Sequence, residues 1–265
     1  MKRFITSFIL FILAFSLNAQ DIKNFGTAFY KEVVFETDLY KLYLVKCFSR
    51  DNVIKCKIRL YNKSKQAMYI KAEEFEFVVN GEKYHCNKTH FVIEPDDIAD
   101  RMVEITGKNL KQEKFEITTT GIYTINDNPE VITMPDTKWP SKHGTEVNGT
   151  GIKCHVITNR MHPDKSAAAY SCKYEGDQFC VIDPTKAISI MPKGQENLSA
   201  AKPKLYVLEN GDTRDFHIEF NRYNGAGSLL EGINVVWKET FTKVSPKLLA
   251  PTKVEMLFDP LKSEK

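Results

Sequence analysis

Apolar and polar residues alternate along much of this chain, and the alternation points to a fold built from β-strands. The clearest run covers residues 53–61, where every second residue is apolar: Ile54, Cys56, Ile58 and Leu60. Neighbouring side chains of a strand point to opposite faces, so one face of this strand is apolar and the other is polar. That pattern is typical of an antiparallel sheet with one face against a core.

A second alternating stretch adds a hairpin. Residues 74–79 end at Asn80-Gly81, a dipeptide that strongly favours a two-residue turn and would place Phe77 opposite Tyr84. Other strands are predicted at residues 42–47, 67–72, 114–125, 204–208, 215–220 and 233–244. No segment keeps a helical period over three turns, so only single helical turns are expected, within residues 95–102 and 198–202.

The second half of the chain resembles the first at an offset of 115 residues, which sets Phe91 against Tyr206. In each half an apolar strand ends in an acidic turn, at residues 94–97 or 209–212, and another alternating strand follows. Cys56-Lys57 also falls on Cys172-Lys173 after a one-residue slip. A period of this length suits a whole domain rather than a solenoid unit and favours an internal duplication.

The short strands, polar turns and acidic corners of each half resemble the immunoglobulin-like sandwiches of exported bacterial proteins. The resemblance implies an all-β fold with two tandem immunoglobulin-like β-sandwich domains. We place the first domain at residues 20–125 and the second at residues 150–245. Residues 126–149 contain three prolines and few apolar residues, so they are predicted to be a linker, and residues 246–265 a C-terminal tail.

Residues 1–19 have the pattern of a secretory signal peptide. Lys2 and Arg3 precede an apolar run of about 14 residues, and the small Ala19 suits a cleavage point. The run is shorter than the roughly 20 residues that cross a bilayer as a helix, although an uncleaved anchor is the alternative. We expect cleavage after Ala19 or Gln20, no transmembrane segment in the mature chain, and a location in the bacterial periplasm or on the cell surface.

Six cysteines follow this segment, and an even number in an exported protein predicts disulfides. They are Cys47, Cys56, Cys86, Cys154, Cys172 and Cys180. A two-residue turn with left-handed backbone at Asp51-Asn52 would set Cys47 directly opposite Cys56. The repeat extends this pairing to Cys154 with Cys172, with Cys86 and Cys180 either unpaired or bridged to each other.

The sequence offers two alternatives to these disulfide pairings. Cys56 and Cys86 both lie on inward registers, so a bridge between sheets would also satisfy them. His85-Cys86 and Cys154-His155 carry the atoms of a zinc site but lack the short paired-cysteine spacing, so no metal is predicted.

Charge and motifs name no ligand or reaction. With 37 basic and 34 acidic residues the net charge is +3, too small to imply a nucleic-acid partner. The sequence contains no nucleophile-elbow, zinc-protease or P-loop pattern, so no catalytic residue and no cofactor is predicted. Cys154, His162 and Asp164 could form a nucleophilic site, but a disulfide is the expected state of Cys154 in an oxidising compartment.

The hypothesis that these observations favour is an exported, non-enzymatic binding or assembly module. It would work through sandwich loops or a sheet edge, and its partner would be another protein or a component of the cell envelope. One alternative is a secreted hydrolase whose site is dispersed along the chain, built from residues such as His85, His217 and the acidic turns. Another is a two-domain periplasmic chaperone, which would need an unpaired sheet edge and a basic residue near the cleft between domains.

Overall fold

The computed structural model describes residues 21–125, 129–139, 141–162, 164–192, 194–221 and 232–263, and this part of the chain is all-β. The predicted signal peptide and its cleavage point lie outside the described residues. The described residues contain three single-turn 3-10 helices: η1 (Ile22–Asn24) before the first strand, and η2 (Ala72–Glu74) and η3 (Pro184–Lys186) between strands. Across the described ranges no helix is long and apolar enough to cross a bilayer.

The strands of the first half of the chain are all antiparallel to their neighbours. They are β1 (Ala28–Phe29), β2 (Val33–Glu36), β3 (Tyr40–Arg50), β4 (Val53–Asn62), β5 (Met68–Lys71), β6 (Glu76–Val79), β7 (Glu82–Tyr84), β8 (His90–Ile93), β9 (Ile98–Thr106), β10 (Lys114–Thr118) and β11 (Ile122–Thr124).

The remaining strands follow the same antiparallel rule. They are β12 (Glu130–Val131), β13 (Thr137–Trp139), β14 (Glu146–Gly149), β15 (Ile152–Met161), β16 (Lys165–Tyr174), β17 (Phe179–Ile182), β18 (Ile188–Ile190), β19 (Glu196–Leu198), β20 (Tyr206–Leu208), β21 (Thr213–Asn221), β22 (Ile233–Val236), β23 (Phe241–Val244), β24 (Lys247–Leu248) and β25 (Lys253–Leu257).

Both halves pair their strands in the same order. The first half forms sheets β1-β3-β4-β9, β25-β10-β6-β7 and β24-β11-β5-β8, with β2 also paired to β3. The second half forms β14-β15-β16-β21, β13-β22-β18-β19 and β12-β23-β17-β20. A 3-10 turn separates β5 from β6 and, at the matching place, β17 from β18. Most strands of one half therefore have a counterpart in the other.

The two halves also exchange strands. β12 and β13 follow β11 along the chain, yet they pair with β23 and β22 of the second half. β24 and β25 follow β23, yet they pair with β11 and β10 of the first half. Each half is thus completed by the two strands that follow the other half. The stretches that we expected to be a linker (126–149) and a tail (246–265) supply these strands.

The apolar faces form one core cluster in each half. The first contains inward residues of β3, β4 and β9 together with residues of the two sheets packed against them. The second contains inward residues of β15, β16 and β21 together with residues of the two sheets packed against those strands. The core positions predicted from the alternation are at most 1% exposed, which confirms the inferred register: Ile54, Ile58, Leu60, Phe75 and Phe77.

The predicted hairpin at Asn80-Gly81 is confirmed. Phe77 pairs with Tyr84, and both turn residues have positive φ, 53° for Asn80 and 81° for Gly81. The two helical turns were wrong. Residues 98–106 are strand β9, because pairing with β4 along its whole length outweighs local propensity. After β19 the chain bonds to β21 instead of coiling, with the amide of Ala200 donating to the carbonyl of Glu219 at 2.6 Å.

Two disulfides are present, Cys47–Cys56 and Cys154–Cys172, and both are pairs that the sequence favoured. Arg50 pairs with Val53 across the turn, as expected, but neither turn residue has a positive φ. A bulge at Lys46, with φ of 51°, lies next to Cys47 instead.

The two bridges do not occupy corresponding places. Cys47–Cys56 lies near the turn of its hairpin, whereas Cys154–Cys172 lies near the open end of the β15–β16 hairpin. The strand register sets Ala168 in the place of Cys56, so the slipped match of Cys56-Lys57 with Cys172-Lys173 was wrong.

The other two cysteines, Cys86 and Cys180, are buried free thiols, so neither the Cys56–Cys86 bridge nor a bond between them is formed. Burial and the charge of Glu73 raise the pKa of Cys86 to about 11, and burial raises that of Cys180 to about 12. Both are therefore protonated near neutral pH and shielded from reagents.

We expect neither thiol to react with iodoacetamide in the folded protein, because the thiolate is the reactive form. Both should become alkylated after unfolding without reductant, and the other four cysteines only after reduction. Peptide mapping by mass spectrometry measures this directly. Alkylation of Cys86 in the native state, or a peptide linking Cys86 to Cys180, would contradict the assignment.

Candidate binding site at the junction of the two halves

The two halves meet through sheets β24-β11-β5-β8 and β12-β23-β17-β20. A third apolar cluster, separate from the two cores, joins them there; its buried members are Tyr69, Ile125, Val181, Val207 and Val244. The rings of Tyr69 and Phe179 meet edge to face, with 5.5 Å between their centroids. The junction is therefore a packed contact.

An ion-pair network crosses the junction beside this cluster. Lys71 Nζ lies 2.7 Å from Glu74 Oε1 and 3.1 Å from Glu209 Oε2 of the other half. The hydroxyl of Tyr69 donates to Glu209 Oε1 at 2.9 Å. Burial disfavours the charged form of Lys71, but hydrogen bonds to the two glutamates prevail and raise its pKa. Burial and then the charge of Glu209 raise the pKa of Tyr69, so its hydroxyl stays a donor.

A second ion pair across the junction joins Lys88 of the first half to the acidic turn of the second half. Lys88 Nζ lies 3.0 Å from Asp212 Oδ1, and the other oxygen of Asp212 accepts the amide of Glu209 at 3.0 Å. Burial alone would raise the pKa of Asp212, but the Glu209 amide and Lys88 together lower it. The acidic turn predicted at residues 209–212 is therefore stabilised by its own hydrogen bond, and its carboxylates form ion pairs with the first half.

We expect Asp212→Asn to destabilise the protein by roughly 1 kcal/mol at pH 7, because it removes the charge while keeping an oxygen that caps the turn. A carboxyl with a lowered pKa in the folded state stabilises above its unfolded pKa of about 3.9, and that gain disappears as pH falls through the folded pKa. Urea unfolding at several pH values should show the difference from wild type shrinking below about pH 4. A difference that stays constant down to pH 2 would contradict the ion-pair assignment.

A cavity of about 260 Å³ opens at the edge of this junction. It lies between strand β8 of the first half and residues 203–207 of the second, which contain the start of β20. β8 and β20 each stand last in their sheets, so two strand edges border the cavity. An unpaired strand edge offers main-chain donors and acceptors to an extended segment of another chain.

Three cations line this junction cavity: Arg101, Lys204 and Arg214. Arg101 lies over the ring of Phe91 at 4.9 Å and Lys204 over that of Tyr206 at 5.1 Å. Arg214 Nη2 is 3.4 Å from His90 Nε2. Within the described ranges none of the three cations forms an ion pair, unlike Lys71 and Lys88 nearby.

The remaining polar groups of the cavity are few. Glu94 and Asp97 line it from the acidic turn of the first half, so basic groups outnumber acidic ones. The buried Nδ1 of His90 has no hydrogen-bond partner in the part of the chain that the structure describes, and the closest carboxylate, on Glu73, is 3.8 Å away. The arrangement suits an anionic group of a partner.

The other residues that the sequence raised as chemical candidates do not come together. Cys154 is bonded to Cys172 and so has no thiolate to offer. His162 contacts Asp164, but both side chains are about 70% exposed, at 68% and 72%. His217 lines a different groove from the junction cavity, and His85 lines neither. Among the described residues no group of three His, Cys, Asp or Glu is placed to hold a metal.

The sequence did not single out the cations of the junction cavity. Arg101 follows Asp100 and Arg214 precedes Asp215, so in the sequence each arginine is one charge within an ordinary polar stretch. The signal that could have found them is the repeat itself, since both flank its acidic corner.

Comparison with known proteins adds no family to this description. Neither a protein-family model nor a curated protein sequence matches the chain.

Proposed function

We propose that this protein is an exported, non-enzymatic binding module that holds a partner at the junction cavity. Its residues 1–19 direct export and are removed, and the mature chain works in the periplasm or at the cell surface. Two disulfides agree with an oxidising compartment, since such bonds persist outside the cytosol. The partner is another protein or a component of the cell envelope.

Each half of the chain is, in this proposal, one immunoglobulin-like sandwich, and the two arose by internal duplication. The support is the strand order: β3, β4 and β9 lie in one sheet, and the sheets that contain β5 with β11 and β6 with β10 pack against it around one core. The second half repeats this order. Sandwiches of this kind commonly present loops and strand edges to partners.

The observation that carries the proposal is the set of cations Arg101, Lys204 and Arg214 around one cavity, without ion pairs in the described part of the chain. Elsewhere at the junction the basic groups Lys71 and Lys88 are neutralised by carboxylates. Cations gathered in a recess gain from an acidic group that enters it, and two strand edges beside them can bind the main chain of an extended segment.

A chaperone that accepts a strand is the second candidate, and the edge of β8 favours it. Arg101 borders this edge, and a basic residue beside an open edge is what capture of a terminal carboxylate needs.

Affinity capture tests the binding proposal. The mature chain would be immobilised, exposed to an envelope extract of the producing cell, and the captured molecules quantified by mass spectrometry. We expect one dominant partner, reduced roughly tenfold or more by Arg101→Gln with Arg214→Gln, because charged contacts in a recess contribute strongly. Lys153→Gln is the matched control, since Lys153 is exposed and paired with Glu175 away from the cavity. Equal recovery with all variants would contradict the proposal.

Repeating the capture with the identified partner, with its C-terminus free or amidated, separates the two candidates. A chaperone would bind unfolded or incomplete subunits with a free C-terminal carboxylate and release them once they are complete. A binding module would bind a folded partner whether or not its C-terminus is amidated.

A further inference from the structure

A larger groove, of about 750 Å³, lies on the second half, on the face of β15, β16 and β21 that points away from the core. Two rungs of side chains cross it: Arg160–Ala167–Glu219 and Thr158–Ala169–His217. Residues 200–204 form its other wall. Alanine in the middle of each rung gives the groove its depth, because the flanking side chains are longer.

The groove is cationic. Arg160, Lys202 and Lys204 line it and form no ion pair with any described residue. Its one lining carboxylate, Glu219, lies 3.4 Å from Lys165 and so offsets a fourth cation.

The first half provides an internal comparison. Strand register matches Ala167 to Lys55 and Ala169 to Lys57, since Lys55 pairs with Glu104 as Ala167 pairs with Glu219. Lys55 contacts Glu104 at 2.7 Å, and Lys57 contacts Asp100. Long, paired side chains therefore fill and neutralise this face in the first half, while the same face of the second half is open and cationic.

Main-chain groups do not supply the recognition here. β16 is paired on both sides, and the amide of Ala200 bonds to the outer edge of β21. A peptide therefore cannot add as a strand along this groove, and side chains must recognise the ligand. Those side chains combine cations with hydroxyl, imidazole and carboxylate groups of Thr158, His217 and Glu219, a set that matches a ligand rich in both carboxylates and hydroxyls.

We propose that this groove binds a linear acidic oligosaccharide. Uronate carboxylates would lie against Arg160, Lys202 and Lys204, and ring hydroxyls would meet Thr158, His217 and Glu219. Sugar rings would lie on the methyl groups of Ala167 and Ala169 and beside Tyr206. Lys204 and Tyr206 line both this groove and the junction cavity. Arg160, Ala169 and Lys202 line the groove alone, and Arg101 and Arg214 line the junction cavity alone, so substitutions at these positions separate the two sites.

Calorimetric titration of the mature protein with a hexamer of galacturonic acid tests the proposal. Ala169→Lys introduces the lysine that the first half has at the matching position, Lys57, and its side chain would fill the groove. We expect this substitution to weaken binding roughly tenfold or more despite its added positive charge. Ser171→Arg is the matched control: it also copies the first half, where Arg59 is the counterpart, but Ser171 lies one rung beyond the groove. It should leave affinity unchanged, and Arg160→Gln should reduce affinity severalfold.

Three results would overturn the proposal. One is the absence of hexamer binding to the wild type at low salt. Another is an Ala169→Lys protein that binds as tightly as wild type or more tightly, which would mean that charge alone attracts the ligand. The third is equal affinity for a poly-glutamate peptide, which would make the groove a site for acidic peptides. Thermal melts of each variant establish that it is folded, and Arg101→Gln with Arg214→Gln should bind the hexamer normally.

Discussion

A chain that ends at residue 245 is expected to lose the folded first half, although residues 21–125 are all still present. The truncation removes β24 and β25, which complete the sheets of that half. Val254 and Met256 are buried in its core, at 6% and 0% exposure. Loss of these two side chains alone costs roughly 3–6 kcal/mol. This is a large share of the roughly 5–15 kcal/mol that stabilises an ordinary domain.

The second half should survive this truncation, because its exchanged strands β12 and β13 are retained. Trp139 and Trp237 both lie in the second core, so their fluorescence reports on that half alone. We expect native tryptophan emission together with rapid hydrogen exchange in residues 40–124. A chain that ends at residue 259 keeps β25 and serves as control. Slow exchange in β10 of the shorter chain would contradict the strand exchange.

Phe77→Ala is expected to destabilise the protein by roughly 3–5 kcal/mol, as large-to-small changes in a core do. Phe77 is 1% exposed, and its ring stacks on that of Phe115 with 6.4 Å between centroids. Its neighbour Val78 points to the opposite face and is half-buried, so Val78→Ala should cost much less. Urea unfolding measures both. A larger effect at Val78 would mean that the strand is out of register by one residue.

The strands could be predicted because apolar and polar residues alternate along them. The exchange of strands between the two halves could not be predicted. Residues 126–149 were predicted to be a linker because they contain three prolines and few apolar residues, and no local pattern indicates which sheet such a segment joins. β9 begins with the exposed Ile98, so its first residues lack the alternation that marks a half-buried strand.

The Cys47–Cys56 pair could be inferred because a hairpin turn sets its two strands in register, whereas Cys154–Cys172 was inferred from a repeat match that the strand register does not support. The cationic sites could not, since a lone arginine or lysine in a sequence looks like any solvated charge. Only the structure shows that Lys55 and Lys57 form ion pairs, whereas Arg160 and Arg214 form none with the described residues. Ala167 and Ala169 carry no signal of a groove until they are matched to the lysines of the other half.

Photo-crosslinking in the producing cell tests the central claim, that the junction cavity holds a partner. Benzoylphenylalanine would replace Glu94, which lines the cavity, so all three cations are kept. The control position is Met102, which is 50% exposed and does not line the cavity. We predict one crosslinked product from position 94 that is absent from position 102 and that disappears in Arg101→Gln with Arg214→Gln. Equal products at both positions, or none at position 94, would contradict the assignment of the junction as the binding site.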